Sequence, residues 1–160
     1  MKRSYLLLFL LLVSIGLRAQ KFNDEDFFKS LASEDLKLVD QQLALVTKSS
    51  MKEKEAYEGA LLMKKAGLIP KPKAKLSSFK NGHKKLEHAI EQEPKNAKYR
   101  FLRLIIQENA PGILGYKGEI EEDSKYVRES FNALTPDVQA AVVNYSKTSK
   151  KLQLASAGTK

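Results

Sequence analysis

Apolar residues recur at helical spacing on both sides of one proline, Pro94. The stripe before it consists of Leu76, Phe79, His83, Leu86 and Ile90, and the stripe after it of Tyr99, Leu102, Ile105 and Ile106. Proline cannot continue a helix and disfavours helical geometry at the preceding residue, whereas Asn96 is a favourable N-cap. The sequence therefore predicts a turn at 93–96 joining two antiparallel helices, with Arg100 and Arg103 on the outer surface of the second.

Other segments carry the same helical signals. Acidic residues at 24–26 and 119–123 precede apolar stripes, and negative charge is favourable at a helix N-terminus. Thr135 followed by Pro136 predicts another helix start, while the two prolines in 69–75 predict a connector that is extended in part. We therefore expect an all-α fold, an antiparallel helical bundle or αα-hairpin array of about six or seven helices.

Two short patterns resemble known helical proteins. The spacing of Gly82, Leu86, Ala89 and Pro94 is similar to the second-helix half of a tetratricopeptide repeat. The chain departs from that repeat after Asn96, where the expected first-helix pattern is absent, and the repeat period of about 34 residues does not recur. The blocks at 100–103, 109–111 and 114–116 resemble small exported bacterial helical proteins of unassigned activity, a resemblance that implies no chemistry.

The N-terminus has the parts of a secretory signal peptide. A basic start at Lys2 and Arg3 precedes a short apolar core and a cleavage site that ends at Ala19. The apolar run is shorter than the roughly 20 residues that a membrane span needs. Because Arg18 lies next to the cut, an uncleaved anchor is the alternative interpretation.

These signals predict the domain organisation. We expect a signal peptide at 1–19 that is cleaved after Ala19, a single helical domain at 20–154, and a flexible tail at 155–160. The protein is then exported, to the periplasm or the exterior. Loss of Lys2, Arg3 and Arg18 with the leader lowers the formal net charge from +9 to +6. The mature chain is basic, but export argues against nucleic acid as a partner.

The longest charge asymmetry lies between Lys64 and Leu86. This segment holds no acidic residue and eight lysines, namely Lys64, Lys65, Lys71, Lys73, Lys75, Lys80, Lys84 and Lys85. One interpretation is a solvated loop and helix face that keeps the protein soluble. The other is a contact for an anionic surface, such as lipid head groups or acidic glycans. Because none of the eight is arginine, the residue suited to bidentate phosphate recognition, such binding should be weak and salt-sensitive.

The loop at 109–118 is the most distinctive connector. It contains three glycines and a proline, yet Ile113, Leu114 and Tyr116 are too apolar for a purely solvated loop. One interpretation is that these side chains fold back and cap the open end of the core. The other is a hydrophobic lip that grips a partner protein, with Arg100 and Arg103 as polar contacts.

The sequence contains few signals of a catalytic or metal-binding site. There is no cysteine, so disulfides and thiolate catalysis are excluded. His83 and His88 are five residues apart and two ligands do not make a zinc site, so we predict no metal and no cofactor. The acids at 119–123 could serve acid/base chemistry or a hard cation, although a helix N-terminus explains them more simply. An enzyme would need carboxylates such as Glu87 and Glu91 to line a deep pocket.

The sequence therefore predicts a non-enzymatic, scaffold- or adaptor-like protein-interaction module of the cell envelope. Its predicted partner is an envelope protein that binds through the apolar loop. The alternative is a weak binder of anionic lipid or polymer that uses the lysine-rich segment.

Overall fold

A computed structural model describes residues 22–154, which form seven α-helices and no β-strand. The helices are α1 (Asp24–Ala32), α2 (Leu36–Lys48), α3 (Lys54–Leu68), α4 (Pro72–Gln92), α5 (Ala97–Asn109), α6 (Ile120–Glu129) and α7 (Pro136–Ser146), with 3-10 turns at Gly112–Leu114 and Phe131–Ala133. The prediction of an all-α fold of about six or seven helices is confirmed. The predicted signal peptide and the predicted tail at 155–160 lie outside the described residues.

Local signals in the sequence set several helix boundaries. The Asn96 side chain accepts hydrogen bonds from the backbone N–H groups of Lys98 and Tyr99, as expected of the N-cap of α5. Pro72 occupies the first turn of α4, where its fixed φ suits a helix and its missing N–H costs nothing. The connector between α3 and α4 therefore consists of residues 69–71. Ile69 and Lys71 are extended, as predicted for part of 69–75, whereas 72–75 belong to α4.

The most extensive helix pair is α3 with α4. Two glycines make this close approach possible, because a Cβ on Gly82 would lie 2.6 Å from the carbonyl oxygen of Gly59. Ser78 donates a hydrogen bond to the carbonyl of Leu62, and Lys85 forms an ion pair with Glu58, so the two helices run antiparallel. Because Gly82 faces α3, α4 packs more extensively on α3 than on α5, the helix that follows the turn at 93–96.

Two hydrophobic clusters share α5. Tyr99, Leu102 and Ile106 of α5 belong to a cluster with α1–α4, while Phe101 and Leu104 belong to a second cluster with α6 and α7. Both faces of α5 are thus covered, which makes it the central helix of the fold. This position fixes where the loop that follows α5 leaves the core.

Candidate interaction surface

The loop between α5 and α6 has a defined backbone. The 3-10 turn at Gly112–Leu114 is closed by a 3.0 Å hydrogen bond from the Leu114 N–H to the Pro111 carbonyl. Gly115 follows with a φ of 64°, a left-handed conformation that glycine adopts without steric cost. The loop therefore leaves α5, forms one tight turn, and directs Tyr116 back toward the helices.

Tyr116 anchors this loop to α4. Its ring is 8% exposed and packs edge-on against His83 at a centroid distance of 4.6 Å and against Phe79 at 5.9 Å. Its hydroxyl donates a hydrogen bond to the Glu87 carboxylate. Burial and that carboxylate raise the pKa of the Tyr116 phenol, so the hydroxyl stays protonated and continues to donate. Tyr116 therefore folds back onto the core and is not part of an exposed lip.

The tip of the same loop is open to solvent. The exposed fraction is 95% for Ile113 and 36% for Leu114. Transfer of a large apolar side chain out of water is favourable. The fold does not obtain this stabilisation at Ile113. Of the three apolar residues predicted to form a lip, two are available for a contact.

The two arginines predicted to contact a partner are engaged within the fold. Arg103 is buried, and its guanidinium donates to Asp123 at 2.6 and 2.9 Å and to Glu87 at 2.9 Å. Arg100 bonds Glu122 at 2.7 Å and Asp123 at 3.2 Å. The outward position predicted for Arg103 is wrong, because the fully buried carboxylate of Asp123 requires a cationic partner.

This buried network joins three helices and the loop. Burial opposes the charge of Arg103, but hydrogen bonds and charge from Asp123 and then Glu87 outweigh it and raise the pKa of the guanidinium. Glu87 on α4 accepts from both Arg103 and Tyr116, so the anchor of the loop is itself held by α5 and α6. The network therefore acts as a support for the loop rather than as a contact for a partner.

The eight lysines divide into two groups. Three of them pair with acids from elsewhere in the chain at 2.7 Å, as Lys64–Glu34, Lys65–Asp40 and Lys85–Glu58. The others form no salt bridge within residues 22–154, and all of them are exposed: Lys71, Lys73, Lys75, Lys80 and Lys84. The anionic-surface hypothesis therefore rests on five lysines, because contacts of α3 with α4, with α2 and with the loop before α2 engage the other three.

Three of the five lysines share one face of α4. Lys73, Lys80 and Lys84 are separated by seven and four residues, which places them on one stripe of the helix. Ser78 and Gly82 face α3, so this stripe occupies the opposite, solvent side. A shallow depression of about 280 Å³ runs along it between Lys73, Leu76, Ser77, Lys80 and Asn81, and the Leu76 residue is 46% exposed. We call this surface the lysine face.

The loop tip and the lysine face are neighbours. Tyr116 packs on Phe79 and His83, and Lys80 and Lys84 directly follow these two residues in α4. Ile113 precedes Tyr116 by three residues, so its backbone lies within about 11 Å of Tyr116, close to the part of α4 that carries Lys80 and Lys84. The sequence did not connect the two features, because nothing local indicates that a tyrosine over 30 residues downstream docks on α4.

A second depression, of about 330 Å³, surrounds Glu108 near the C-terminal end of the described chain. The Glu108 carboxylate accepts hydrogen bonds from the hydroxyls of Tyr145 and Ser149 and from the backbone N–H groups of Lys150 and Lys151. Four donors satisfy this carboxylate. It therefore docks the segment after α7 onto α5, where Leu152 is buried, and offers no free group for a ligand.

The carboxylates considered for chemistry are dispersed. Glu91 is exposed, Glu87 is engaged with Tyr116 and Arg103, and Glu119 accepts a hydrogen bond from Gln107. Among residues 22–154, no group of three or more histidine and acidic side chains is arranged to hold a metal ion. In the same range, no helix combines the length and the apolar character that crossing a bilayer requires.

Comparison of the chain with protein-family models, curated proteins and solved structures found no match. The tetratricopeptide-like pattern at Gly82, Leu86, Ala89 and Pro94 thus stays a prediction from the sequence. The functional interpretation depends on the geometry of the lysine face and the loop tip.

Proposed function

We propose that this protein is an exported, non-catalytic binding module of the cell envelope that recognises an anionic surface with its lysine face. The observation that carries the proposal is the solvent-facing stripe of Lys73, Lys80 and Lys84, which has no acidic partner within the described residues. By contrast, Lys64 on α3 and Lys85 on α4 each form an ion pair with a carboxylate at 2.7 Å. The lysine face is thus a concentration of positive charge that internal ion pairs do not use.

The type of cation favours a diffuse anionic surface. Lysine carries a compact charge on a flexible stem and interacts as a point charge, whereas arginine supplies the planar fork for a defined phosphate site. The two arginines close to this region, Arg100 and Arg103, are committed to Asp123. A surface of many anions, such as acidic phospholipid, therefore matches this face better than a single small anion.

We predict that Lys73→Gln/Lys80→Gln/Lys84→Gln weakens binding to vesicles containing acidic phospholipid by roughly tenfold or more at low salt. Each lysine close to such a membrane contributes on the order of 1 kcal/mol, and salt screens this attraction. Co-sedimentation of residues 20–160 with acidic and neutral vesicles measures the effect. The leader is omitted because its apolar core would itself partition into lipid.

The matched control removes three exposed lysines from other surfaces, as Lys37→Gln/Lys48→Gln/Lys95→Gln. Both triple variants lose the same net charge, so only the location differs. Equal weakening in the two would mean that overall charge and not the lysine face controls binding. Equal binding of the unmodified chain to acidic and neutral vesicles would contradict the proposal itself.

A second candidate function is recognition of an envelope protein through Ile113 and Leu114. The observation that favours it is the 95% exposure of Ile113 on a loop that Tyr116 holds in place, because a preorganised apolar contact loses little entropy on binding. We expect one envelope protein to co-purify with residues 20–160 at high salt and to be lost with Ile113→Ser/Leu114→Ser. Retention of only acidic lipid or polymer, lost as salt rises, would contradict this candidate.

A further inference from the structure

The apolar tip and the lysine face lie on neighbouring parts of the fold. Tyr116 fixes the loop against Phe79 and His83, the residues that precede Lys80 and Lys84 in α4, and Ile113 and Leu114 come three and two residues before Tyr116. Leu76 lies on the lysine face itself and is 46% exposed. Positive charge and exposed aliphatic side chains therefore lie close together in the fold.

We propose that this composite surface docks on an acidic phospholipid bilayer, with Ile113 and Leu114 inserting into the boundary between head groups and acyl chains. The inference rests on the proposed recognition of an anionic surface and names both the surface and the group that enters it. The lysines attract the acidic head groups, and the aliphatic tip leaves water once the face is in contact.

The shape of the loop favours a bilayer over a protein groove or a soluble polymer. Ile113 lies in a 3-10 turn at the tip of the loop and is 95% exposed, so it projects outward and does not line a concavity. The aromatic residue that could anchor a protein contact, Tyr116, is buried and already bonded to Glu87. A soluble polyanion has no apolar phase, so it would leave Ile113 and Leu114 in water.

Both ends of the loop are fixed, which presents the tip in a constant position. At the start, Asn109 donates to the Ile105 carbonyl at 2.8 Å, and the Ala110 N–H donates to the Ile106 carbonyl at 2.8 Å. At the end, Tyr116 is held by Glu87, which in turn is held by Arg103. Insertion then requires no refolding of the loop, and the tip enters the bilayer as a preformed wedge.

The chain contains no tryptophan, so a single Ile113→Trp substitution supplies a unique fluorescent reporter at the tip. With vesicles of acidic phospholipid, we expect its emission to shift to the blue and to be quenched by lipids brominated along the acyl chain. Leu38→Trp on α2 is the matched control, because Leu38 is 39% exposed and α2 packs on α1 and α3. Its emission should not shift.

A paired affinity measurement separates insertion from electrostatic attraction. We expect Ile113→Ser/Leu114→Ser to bind acidic vesicles about tenfold more weakly while binding heparin, a soluble polyanion, as strongly as the unmodified chain. Circular dichroism tests whether the variants keep their helices, which we expect because both side chains are exposed.

The outcomes distinguish this inference from the function on which it rests. A tryptophan at 113 that stays in water while the protein sediments with acidic vesicles would overturn insertion and leave lysine recognition standing. Binding to heparin without binding to vesicles would also overturn insertion and leave recognition of anions by the lysines standing. If neither vesicles nor heparin binds, both proposals fail together.

Discussion

Replacement of Gly82 by alanine is expected to lower the free energy of unfolding by about 3 kcal/mol, near the upper end for overpacking a core. The added Cβ would lie 2.6 Å from the Gly59 carbonyl oxygen, 2.8 Å from Met63 Cγ and 2.9 Å from Leu62 Cβ. One of these atoms is backbone, so α3 and α4 would have to move apart. That cost exceeds the roughly 1 kcal/mol that alanine gains over glycine inside a helix.

Gly67→Ala provides the matched control, because Gly67 lies in α3 and a Cβ there would meet no atom within 4 Å. This variant should be neutral or stabilised by up to about 1 kcal/mol. Urea unfolding monitored by circular dichroism gives both values. Equal effects of the two substitutions would show that helix propensity and not the close packing of α3 on α4 decides the result.

Arg103→Met is expected to destabilise the fold by about 3 kcal/mol, because removing one partner of a buried ion pair leaves the other uncompensated. Asp123 is fully buried and would keep only the 3.2 Å contact from Arg100. Glu87 would also lose its bond to α5, which loosens the anchor of the Tyr116 loop. Chemical unfolding measures the loss of stability.

Two further variants test the explanation. Lys125→Met removes an exposed i,i+4 pair with Glu129 at 3.9 Å and should change stability by less than about 0.5 kcal/mol. Arg103→Met/Asp123→Leu removes both charges and should be more stable than Arg103→Met alone. If the double variant were the less stable of the two, the uncompensated charge of Asp123 would not be the cause.

The support of the loop links these stability effects to binding. Arg103 holds Glu87, Glu87 holds Tyr116, and Tyr116 packs on His83 and fixes the loop that carries Ile113. The arginine predicted from the sequence to touch a partner thus contributes at a distance, by positioning the tip. A folded variant with a weakened network would therefore present the tip less uniformly and bind more weakly.

Much of the secondary structure could be predicted from the chain because its signals are local. Pro94 and Asn96 define the break between α4 and α5, and the apolar spacing on either side defines two helices. Each of these signals acts within a few residues, which is the range of helical hydrogen bonds and caps. The two prolines in 69–75 predicted a connector that is extended in part, and the chain is extended at Ile69 and Lys71 before the helix begins at Pro72.

The candidate surface could be predicted only in part. The lysine-rich segment and the apolar loop were recognisable as sequence patterns. In the structure, however, some of their side chains are engaged within the fold and only the others are free to contact a partner. Lys85 pairs with Glu58 and Tyr116 docks on His83, contacts that join residues more than 25 positions apart. Composition and periodicity do not show which distant residue a side chain will contact. A lysine that forms an ion pair and a lysine that does not therefore cannot be told apart from the sequence.

The sequence by itself determined an all-α fold of about six or seven helices, a basic segment and an apolar loop, because propensity, capping and apolar periodicity act over a few neighbouring residues. Only the tertiary structure decided that Arg103 is buried against Asp123, that Gly59 meets Gly82, and that Tyr116 packs on Phe79 of α4. The physical reason is that burial, desolvation and ion pairing depend on which distant residues the packing of the helices brings into contact.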